Sequence, residues 1–536
     1  MNTTRPPHPR RRRLLPLGLT AAVLCLLPAL PAAAEPASPP VRPAPEHPAP
    51  TRAERAADTY LDRVRERPGR LRAFFRALPK GGDLHNHLSG AASTETLIRL
   101  AGQEGLCVET DTMKAVPPPC GPGNRPAADA RTDGAFRREL IRAWSMEDLP
   151  RGASGHDHFF ATFGKFGEVP WRRPGALLAD VTDTMARQNQ FYLESMTTPA
   201  SPEGKKLAQR VGFDRDLRQM HAKLVAGGKL DQLVRRAQQE ADKAERQFRE
   251  ISRCGTPAAA PGCRVTVRWI SQAARASTPE RVFTQLALGM RLAERDPRFV
   301  AVNLVQPEDD ENALRHYRLH MRMLDYLHGV YPDAHITLHA GELVPGLAKP
   351  EDLRFHIREA VRTGHAERIG HGVDLLHEDG WRPLLREMAR RGVAVEVPFT
   401  SNRQILGVSG DAHPFPVYRR HGVPVVLATD DPGVSRTDIS REYAYAARTY
   451  GLDYVELKNL ARASLEHAFL PGRSLWRTGG PDAYVPRATC AGQRPGTVAP
   501  RAACAELLRD SAKARHQWRL EAAFHRFEQR LLRTMR

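Results

Sequence analysis

Short apolar runs of strand character alternate with helical patterns along most of this chain, and this alternation strongly constrains the fold. Eight such runs occur, at 83–88, 190–196, 264–271, 299–305, 335–339, 368–373, 393–398 and 424–429. Segments between them, such as 279–295 and 311–330, repeat apolar residues every three or four positions, as amphipathic helices do. Alternating strands and helices predict a parallel sheet, and eight such units predict an α/β protein with a closed (β/α)8 TIM barrel.

Two connections between the predicted strands are too long for simple crossovers. Insertions occupy 101–175 after the first strand and 200–262 after the second. We expect both to lie near the active-site mouth as lids or substrate walls, because long loops in such folds serve function there. The remaining predicted elements are a helical lead-in at 53–78, a barrel core at about 79–475 within a domain of 51–536, and a C-terminal helix at 505–532.

The first 34 residues have the pattern of an export signal. Four consecutive arginines, Arg10 to Arg13, precede an apolar stretch at 14–30, and Ala32-Ala33-Ala34 follows it. This pattern predicts a signal peptide cleaved near Ala34 and a secreted protein, and the arginines leave both the general and the twin-arginine export routes open. Residues 35–50 are rich in proline and predict an extended linker.

Cysteine usage agrees with an oxidising compartment. Six of the seven cysteines fall in close sequence pairs around segments rich in proline, glycine or alanine. Six cysteines allow 15 pairings, among which we favour local disulfides. No Cys-x-x-Cys motif supports the competing interpretation of a cysteine zinc site. The favoured pairs are Cys107–Cys120, Cys254–Cys263 and Cys490–Cys504.

The net charge is strongly positive but dispersed. The chain has 80 Lys and Arg against 61 Asp and Glu, a formal charge of +19, of which five positive charges lie in residues 1–34. No nucleic-acid-binding motif accompanies this excess, so we expect no specific nucleic acid partner. We interpret the charge as surface character of an exported enzyme, compatible with weak adhesion to anionic surfaces.

The sharpest chemical signal is Asp83-Leu84-His85-Asn86-His87 on the first predicted strand. Alternate residues of a strand share a face, so His85 and His87 are predicted to point together into the barrel. Other polar residues follow strand ends, where barrel active sites are built: His339-Ala340-Gly341-Glu342, Gly370-His371-Gly372 and Thr429-Asp430-Asp431-Pro432. The set His85, His87, His339 and Asp430 offers three nitrogens and one oxygen, a suitable ligand set for zinc.

In these motifs the sequence resembles the adenosine deaminase family, including its secreted growth-factor-like branch. The matching blocks occur in the family's order between about 75 and 475. They are Pro79 to Leu88, Tyr192-Leu193-Glu194, His339 to Glu342, Arg368 to Gly372, Glu396-Val397-Pro398 with Ser401-Asn402, and Thr429 to Pro432. The resemblance implies a (β/α)8 barrel with one zinc ion per chain. It also implies hydrolytic deamination of adenosine, and of 2′-deoxyadenosine, to inosine and ammonia, with a small purine nucleoside as the partner.

The resemblance also implies roles for individual residues. It identifies His85, His87, His339 and Asp430 as zinc ligands. Glu342 is expected to donate a proton to purine N1, His371 to act as the base that orients water, and Asp431 to contact N7. We expect Gly370 and Gly372 to allow close approach of a ligand beside His371.

The chain departs from the family pattern at expected substrate contacts. Ser89 stands where many members have an aspartate that contacts the ribose. Gln306 stands where the family has a glycine near purine N3, and its side chain would enter that space. Met196 stands where the family pattern has arginine. Ser89 and Gln306 are therefore candidate substrate-binding residues, and the chemistry is better specified than the substrate.

Other function classes fit the sequence less well. A two-metal amidohydrolase would need a bridging lysine on the fourth strand, and 299–310 contains none. A cytidine-type deaminase needs Pro-Cys-x-x-Cys, which is absent although His365-Ala366-Glu367 matches the first half of that signature. Two alternatives remain: a deaminase of another adenine-containing compound, and a non-catalytic secreted protein that binds adenosine.

Overall fold

Eight parallel strands form the centre of the computed structural model, which describes residues 49–477 and 484–534. The predicted signal peptide and residues 35–48 of the predicted linker lie outside the described residues. The strands are β1 (Gly81–His87), β2 (Gln190–Thr197), β3 (Thr266–Ala274), β4 (Phe299–Val305), β5 (His335–Ala340), β6 (Arg368–His371), β7 (Ala394–Val397) and β8 (Val425–Leu427).

Each strand pairs in parallel with the next strand along the chain, and the last returns to the first. Just beyond β8, Asp430 forms a parallel bridge with Asn86 of β1. The His87 N–H donates to the Asp430 carbonyl at 3.0 Å, and the Asp430 N–H donates to the His85 carbonyl at 2.9 Å. These bonds close the sheet, which confirms the predicted (β/α)8 barrel.

The apolar strand sequences explain why the barrel is buried on both faces. Every residue of β4 is buried, as expected for a parallel strand covered by helices outside and side chains inside. The predicted bounds of β4 agree with the structure, and those of the other seven strands differ by three residues or fewer at each end. Strand ends are the least constrained positions, because the last residues of a strand can pair with a loop instead of a neighbour.

Helices surround the barrel and fill the two insertions. Those before β2 are Arg52–Val64, Pro68–Ala77, Leu88–Ala91, Thr94–Gln103, Gly134–Trp144, Gly155–Phe166 and Pro174–Arg187. Those between β2 and β6 are Ser201–Val211, Leu217–Val225, Lys229–Ile251, Pro279–Arg295, Glu311–Val330 and His356–Arg362. The remaining ones are Trp381–Arg391, Phe399–Leu406, Phe415–Arg420, Pro432–Ser435, Ile439–Tyr450, Tyr454–Glu466, Ala502–Asp510 and Ala512–Thr534.

The lead-in and the C-terminal segment are each two helices, where the sequence predicted one. Pro68 begins the second lead-in helix, because proline fits the first helical turn but cannot continue a preceding helix. In the C-terminal segment the break falls at Ser511, whose backbone is extended. The Ser511 hydroxyl donates to the Arg473 carbonyl at 2.6 Å, a bond that ties the break to the loop after the barrel.

The first insertion crosses the mouth of the barrel, as predicted. It contains a small antiparallel sheet of Cys107–Glu109, Ala115–Val116 and Asn124–Pro126. The Met146 N–H donates to the Val434 carbonyl beyond β8 at 2.8 Å, and His156 Nε2 lies 3.0 Å from Asp309 Oδ1 beyond β4. Strands β8 and β4 lie on opposite sides of the barrel, so the insertion spans the opening between them.

The second insertion lies on the outside of the barrel, so its expected position near the mouth was wrong. Its long helix Lys229–Ile251 packs against Pro174–Arg187, and its helix Ser201–Val211 packs against Pro279–Arg295. The long helix buries a stripe of residues at three- and four-residue spacing, including Leu230, Val234, Ala237, Ala241 and Phe248. This apolar stripe covers the outer helices, which explains why the segment stays away from the polar mouth.

All three local disulfides predicted from the cysteine spacing are present. They join Cys107 to Cys120, Cys254 to Cys263, and Cys490 to Cys504. Among the helices of residues 49–477 and 484–534, none has the length and apolar character needed to cross a bilayer.

Candidate active site

Three histidines and one aspartate converge inside the barrel near the carboxyl ends of its strands. His85 and His87 alternate along β1, His339 lies near the end of β5, and Asp430 follows β8. His339 Nε2 lies 3.1 Å from His85 Nε2 and 3.2 Å from His87 Nε2. Asp430 Oδ1 lies 3.4 Å and 3.2 Å from the same two nitrogens. The structure thus brings together all four residues that the sequence predicted as metal ligands.

Each imidazole in the cluster has an oxygen partner for its other ring nitrogen. His85 Nδ1 lies 2.6 Å from Glu396 Oε2, His87 Nδ1 lies 3.2 Å from Gln272 Oε1, and His339 Nδ1 lies 2.9 Å from Asn303 Oδ1. Because these oxygens can only accept, each Nδ1 carries the proton and donates it outward. When the three rings are neutral, their Nε2 lone pairs and a carboxylate oxygen face one another. A cation relieves that repulsion, so the cluster fits a metal ion.

The ionisation of the cluster also suits metal binding. Burial lowers the pKa of His339 well below its usual range, which keeps this imidazole neutral. Burial alone would raise the pKa of Asp430, but contacts with His85 and His87 lower it well below its usual range. Asp430 Oδ2 also accepts the Ser401 hydroxyl at 2.7 Å. His339 is therefore a neutral imidazole and Asp430 a carboxylate, the protonation states that bind metals. Burial alone would lower the pKa of His85, but contacts with Asp430 and Glu396 raise it to about 10, so a metal ion bound there would displace a proton from this ring.

Glu342 lies beside the cluster and is held as an acid. Its side chain is 6% exposed, and its backbone N–H donates to Glu308 Oε2 at 2.8 Å. Burial and the nearby Asp430 carboxylate raise the pKa of Glu342 to about 8, although Arg275, 3.9 Å away, opposes that shift. The carboxyl is thus mostly protonated at neutral pH, as a proton donor requires.

His371 faces the same space from the end of β6. Its Nε2 lies 3.6 Å from Glu342 Oε1 and 4.0 Å from Asp430 Oδ2, and it has no hydrogen-bond partner in the described part of the chain. Burial lowers the pKa of His371 to about 4, so the ring is neutral. His371 and Asp430 both have positive φ, 68° and 61°, a backbone conformation that costs energy in residues other than glycine.

The two glycines beside His371 make room for protein side chains, which corrects the expectation that they admit a ligand. A Cβ on Gly370 would lie 2.6 Å from the His85 ring. A Cβ on Gly372 would lie 2.5 Å from the Tyr418 hydroxyl, which donates to the Gly372 carbonyl at 2.7 Å. Gly370 is therefore needed to seat a candidate metal ligand.

Asp431 lies next to Asp430 and is buried. Burial and the Asp430 charge raise the pKa of Asp431 well above its usual range and so favour the protonated form of this carboxyl. Its Oδ1 has no hydrogen-bond partner among the described residues. A Cβ on Gly90 would lie only 1.9 Å from that oxygen. The short helix Leu88–Ala91 thus leaves space for the Asp431 carboxyl at Gly90, a requirement that the sequence analysis missed.

The two other candidate substrate residues lie at different depths. Ser89 is half-buried in the short helix directly after β1. Gln306 has a positive φ of 84°, and its side-chain oxygen accepts the Ala276 N–H at 3.1 Å on the exposed surface. The structure therefore directs the Gln306 side chain to the neighbouring loop, not to the cluster. A substrate contact by Ser89 or Gln306 stays a prediction.

Several residues that support the cluster had no site role predicted from the sequence. Glu396 lay in a block noted for the resemblance and Asn303 on the predicted fourth strand, but Gln272 and Arg275 carried no motif signal. Arg275 is fully buried beyond β3 and donates to the His339 carbonyl at 3.1 Å. Glu396 also pairs with buried Arg368, whose charge helps lower the pKa of Glu396 to about 2 despite burial. Glu396 and Arg368 could have been identified from the sequence, because each is a charged residue on a strand predicted to be buried.

Comparison with known proteins places these features in a family. The family model described as adenosine deaminase matches residues 177–475, more than half of the chain. An adenosine deaminase of Escherichia coli strain SMS-3-5 is 40% identical over 139 residues, 26% of this chain and 38% of that protein. One from strain SE11 is 39% identical over 137 residues, 25% of this chain and 38% of that protein. The matched region thus spans well under half the length of these relatives.

Solved structures with a similar fold have low sequence identity. Arabidopsis ADAL in complex with IMP has a TM-score of 0.47 and 22% identity, over 74% of this chain and 93% of that one. An amidohydrolase from Burkholderia ambifaria with bound zinc has a TM-score of 0.48 and 17% identity, over 75% of this chain and 88% of that one. The family match over 177–475 is the finding that assigns the chain. This chain belongs to the adenosine deaminase family.

Proposed function

We propose that this protein is a zinc-dependent hydrolase that converts adenosine, and 2′-deoxyadenosine, with water to inosine and ammonia. The observation that carries the proposal is the placement of protonated Glu342 and neutral His371 beside a cluster that fits a metal ion. The membership of the family and the E. coli adenosine deaminases support the choice of an adenine nucleoside.

The residues supply complementary steps of such a reaction. One zinc ion, held by His85, His87, His339 and Asp430, would act as a Lewis acid that makes water nucleophilic at neutral pH. Glu342 would donate its proton to purine N1 as negative charge develops there during attack at C6. Protonated Asp431 would donate a hydrogen bond to N7, which only accepts. His371 Nε2, which has no hydrogen-bond partner among the residues that the structure describes, would contact the attacking oxygen.

Turnover of purified protein tests the proposal. Loss of absorbance near the adenosine maximum, with release of ammonia, is the expected result for adenosine and 2′-deoxyadenosine with zinc present. Adenine, AMP and methylthioadenosine complete the substrate panel. Turnover of only one of these three compounds would identify a different substrate for the same deamination reaction. No turnover of any of them would contradict the enzyme and favour the adenosine-binding alternative.

We also propose that the protein is exported. The arginine-rich, apolar and alanine-ending start of the chain supports this, as do three disulfides, since disulfides persist mainly outside the cytosol. Amino-terminal sequencing of protein recovered from the medium is expected to begin near Glu35. Recovery of uncleaved protein only from inside the cell would contradict export.

A further inference from the structure

A series of hydrogen bonds between buried polar groups begins at His371 and ends on a backbone N–H. His371 Nδ1 lies 2.8 Å from one end of the Asn402 side-chain amide. The other end of that amide lies 2.9 Å from His413 Nε2, and His413 Nδ1 lies 3.1 Å from the Phe415 nitrogen. All three side chains are at most 1% exposed. Water therefore does not interrupt this series, and each polar group in it must find its hydrogen-bond partner within the series.

The backbone N–H at the end of this series fixes which of its groups donate and which accept. Phe415 is the first residue of the helix Phe415–Arg420, and its N–H can only donate. His413 Nδ1 must therefore accept. Burial lowers the pKa of His413 to about 3, so the ring is neutral and its single proton sits on Nε2. His413 Nε2 consequently donates to Asn402.

The orientation of the Asn402 amide then decides whether His371 Nδ1 donates or accepts. The structure places Asn402 Oδ1 toward His371 and Nδ2 toward His413. With that orientation, both nitrogens of His413 would have to accept, which a neutral imidazole cannot do. The oxygen and the NH2 group of an amide have nearly the same shape, so the hydrogen-bond network decides their positions. The amide oxygen must face His413, and the NH2 group must donate to His371 Nδ1.

At the active-site end, an accepting Nδ1 leaves the His371 proton on Nε2. That nitrogen faces the Asp430 carboxylate, with Oδ2 at 4.0 Å, and lies 3.6 Å from Glu342 Oε1. An N–H group in this position is attracted by the Asp430 carboxylate, whereas a lone pair would be repelled by it. The surroundings at this end therefore favour the same tautomer as the backbone N–H at the other end.

We propose that His413 is a positioning residue that, through Asn402, holds His371 in the tautomer with the proton on Nε2. His371 then offers a hydrogen-bond donor to the attacking oxygen, instead of acting as the base that the family resemblance implied. The catalytic meaning of this donor rests on the proposed function, but the tautomer itself does not.

Nitrogen-15 NMR of the zinc-loaded full chain, labelled at histidine, tests the tautomer without any turnover. We expect a protonated Nε2 and an unprotonated Nδ1 for His371, with its signals identified by their loss in His371→Gln. A proton on Nδ1 of His371 in the wild-type protein would overturn the proposal. Absence of deaminase activity would leave this readout unaffected, so the two proposals fail separately.

Two variants of His413 test its positioning role. In His413→Gln, the side-chain NH2 group can still donate to Asn402, so we expect the wild-type tautomer and most of the wild-type kcat. In His413→Phe, no group can donate to Asn402, and we expect both tautomers of His371 and a kcat reduced about 10- to 100-fold with KM nearly unchanged. A His413→Phe protein with the wild-type nitrogen-15 pattern and kcat would refute the role of His413. If His413→Phe does not fold, loss of the wild-type tautomer in His413→Gln refutes it instead.

Discussion

Replacing Glu342 by glutamine removes a transferable proton from the site while nearly preserving the shape of the side chain. With a pKa of about 8, about nine in ten Glu342 carboxyls are protonated at pH 7. With the ordinary value of 4.5, only about one in 300 would be. Burial and the Asp430 charge thus increase the population of the acid form by a factor of about 300. Glutamine can donate a hydrogen bond but not the proton that purine N1 needs.

We therefore expect Glu342→Gln to lower kcat by about 10²- to 10⁴-fold while the zinc content stays at the wild-type level. The assay follows the absorbance loss of adenosine, beside metal analysis of the same sample. In the wild-type protein, kcat/KM should fall as pH rises through the pKa of Glu342, because the acid form is lost. That alkaline fall should be absent from the residual activity of Glu342→Gln.

Glu378→Gln is the matched control, because Glu378 is also buried and burial raises its pKa to about 7. Its Oε1 accepts the Ile357 N–H at 2.6 Å, away from the metal cluster, and a glutamine oxygen can keep this bond. We expect near wild-type turnover in this variant. Loss of zinc in Glu342→Gln would show that Glu342 is a metal ligand, and unchanged turnover would show that it is not the acid; either result refutes the reasoning.

Three further predictions concern the surroundings of the site and the disulfides. Gly90→Ala places a methyl group 1.9 Å from the position of Asp431 Oδ1, so it should raise KM for adenosine and leave zinc content unchanged; an unchanged KM would contradict the contact of Asp431 with substrate. Asn303→Asp replaces the neutral acceptor of the His339 Nδ1–H by a charged one. A chelator should therefore remove the metal about 10-fold more slowly than from the wild-type protein. Faster removal would be inconsistent with Asn303 supporting His339 as a metal ligand. Replacing Cys490 and Cys504 together by alanine opens a loop with a sequence separation of 14, and thermal unfolding should show a loss of about 3 kcal/mol of stability, whereas an unchanged melting temperature would contradict this estimate.

The barrel and its metal cluster could be predicted from the sequence because their signals are local and repeated. The strand Phe299–Val305 is an unbroken apolar run, and its bounds agree with the structure. The His-x-His pattern of β1 lies outside the family match at 177–475, yet strand alternation predicted that both rings share a face. The disulfides were predictable because each closes a loop of only 9 to 14 residues in sequence separation.

What the sequence did not predict depends on contacts between distant parts of the chain. The position of the second insertion depends on the packing of its apolar stripe against the outer helices. The sequence of the stripe does not show which helices it packs against. Gly370 makes room for the His85 ring, which is 285 positions away in the chain, so its neighbour could not be inferred from the motif. The role of His413 depends on three successive hydrogen bonds that only the folded chain brings together.

Metal analysis of the purified wild-type protein and of His339→Ala tests the central claim most directly. His335→Ala is the control, since His335 lies at the other end of the same strand and pairs with Glu367 on the surface. The account predicts one zinc ion per chain in the wild-type and His335→Ala proteins and almost none in His339→Ala. Full zinc retention in a folded His339→Ala protein would contradict the proposed ligand set.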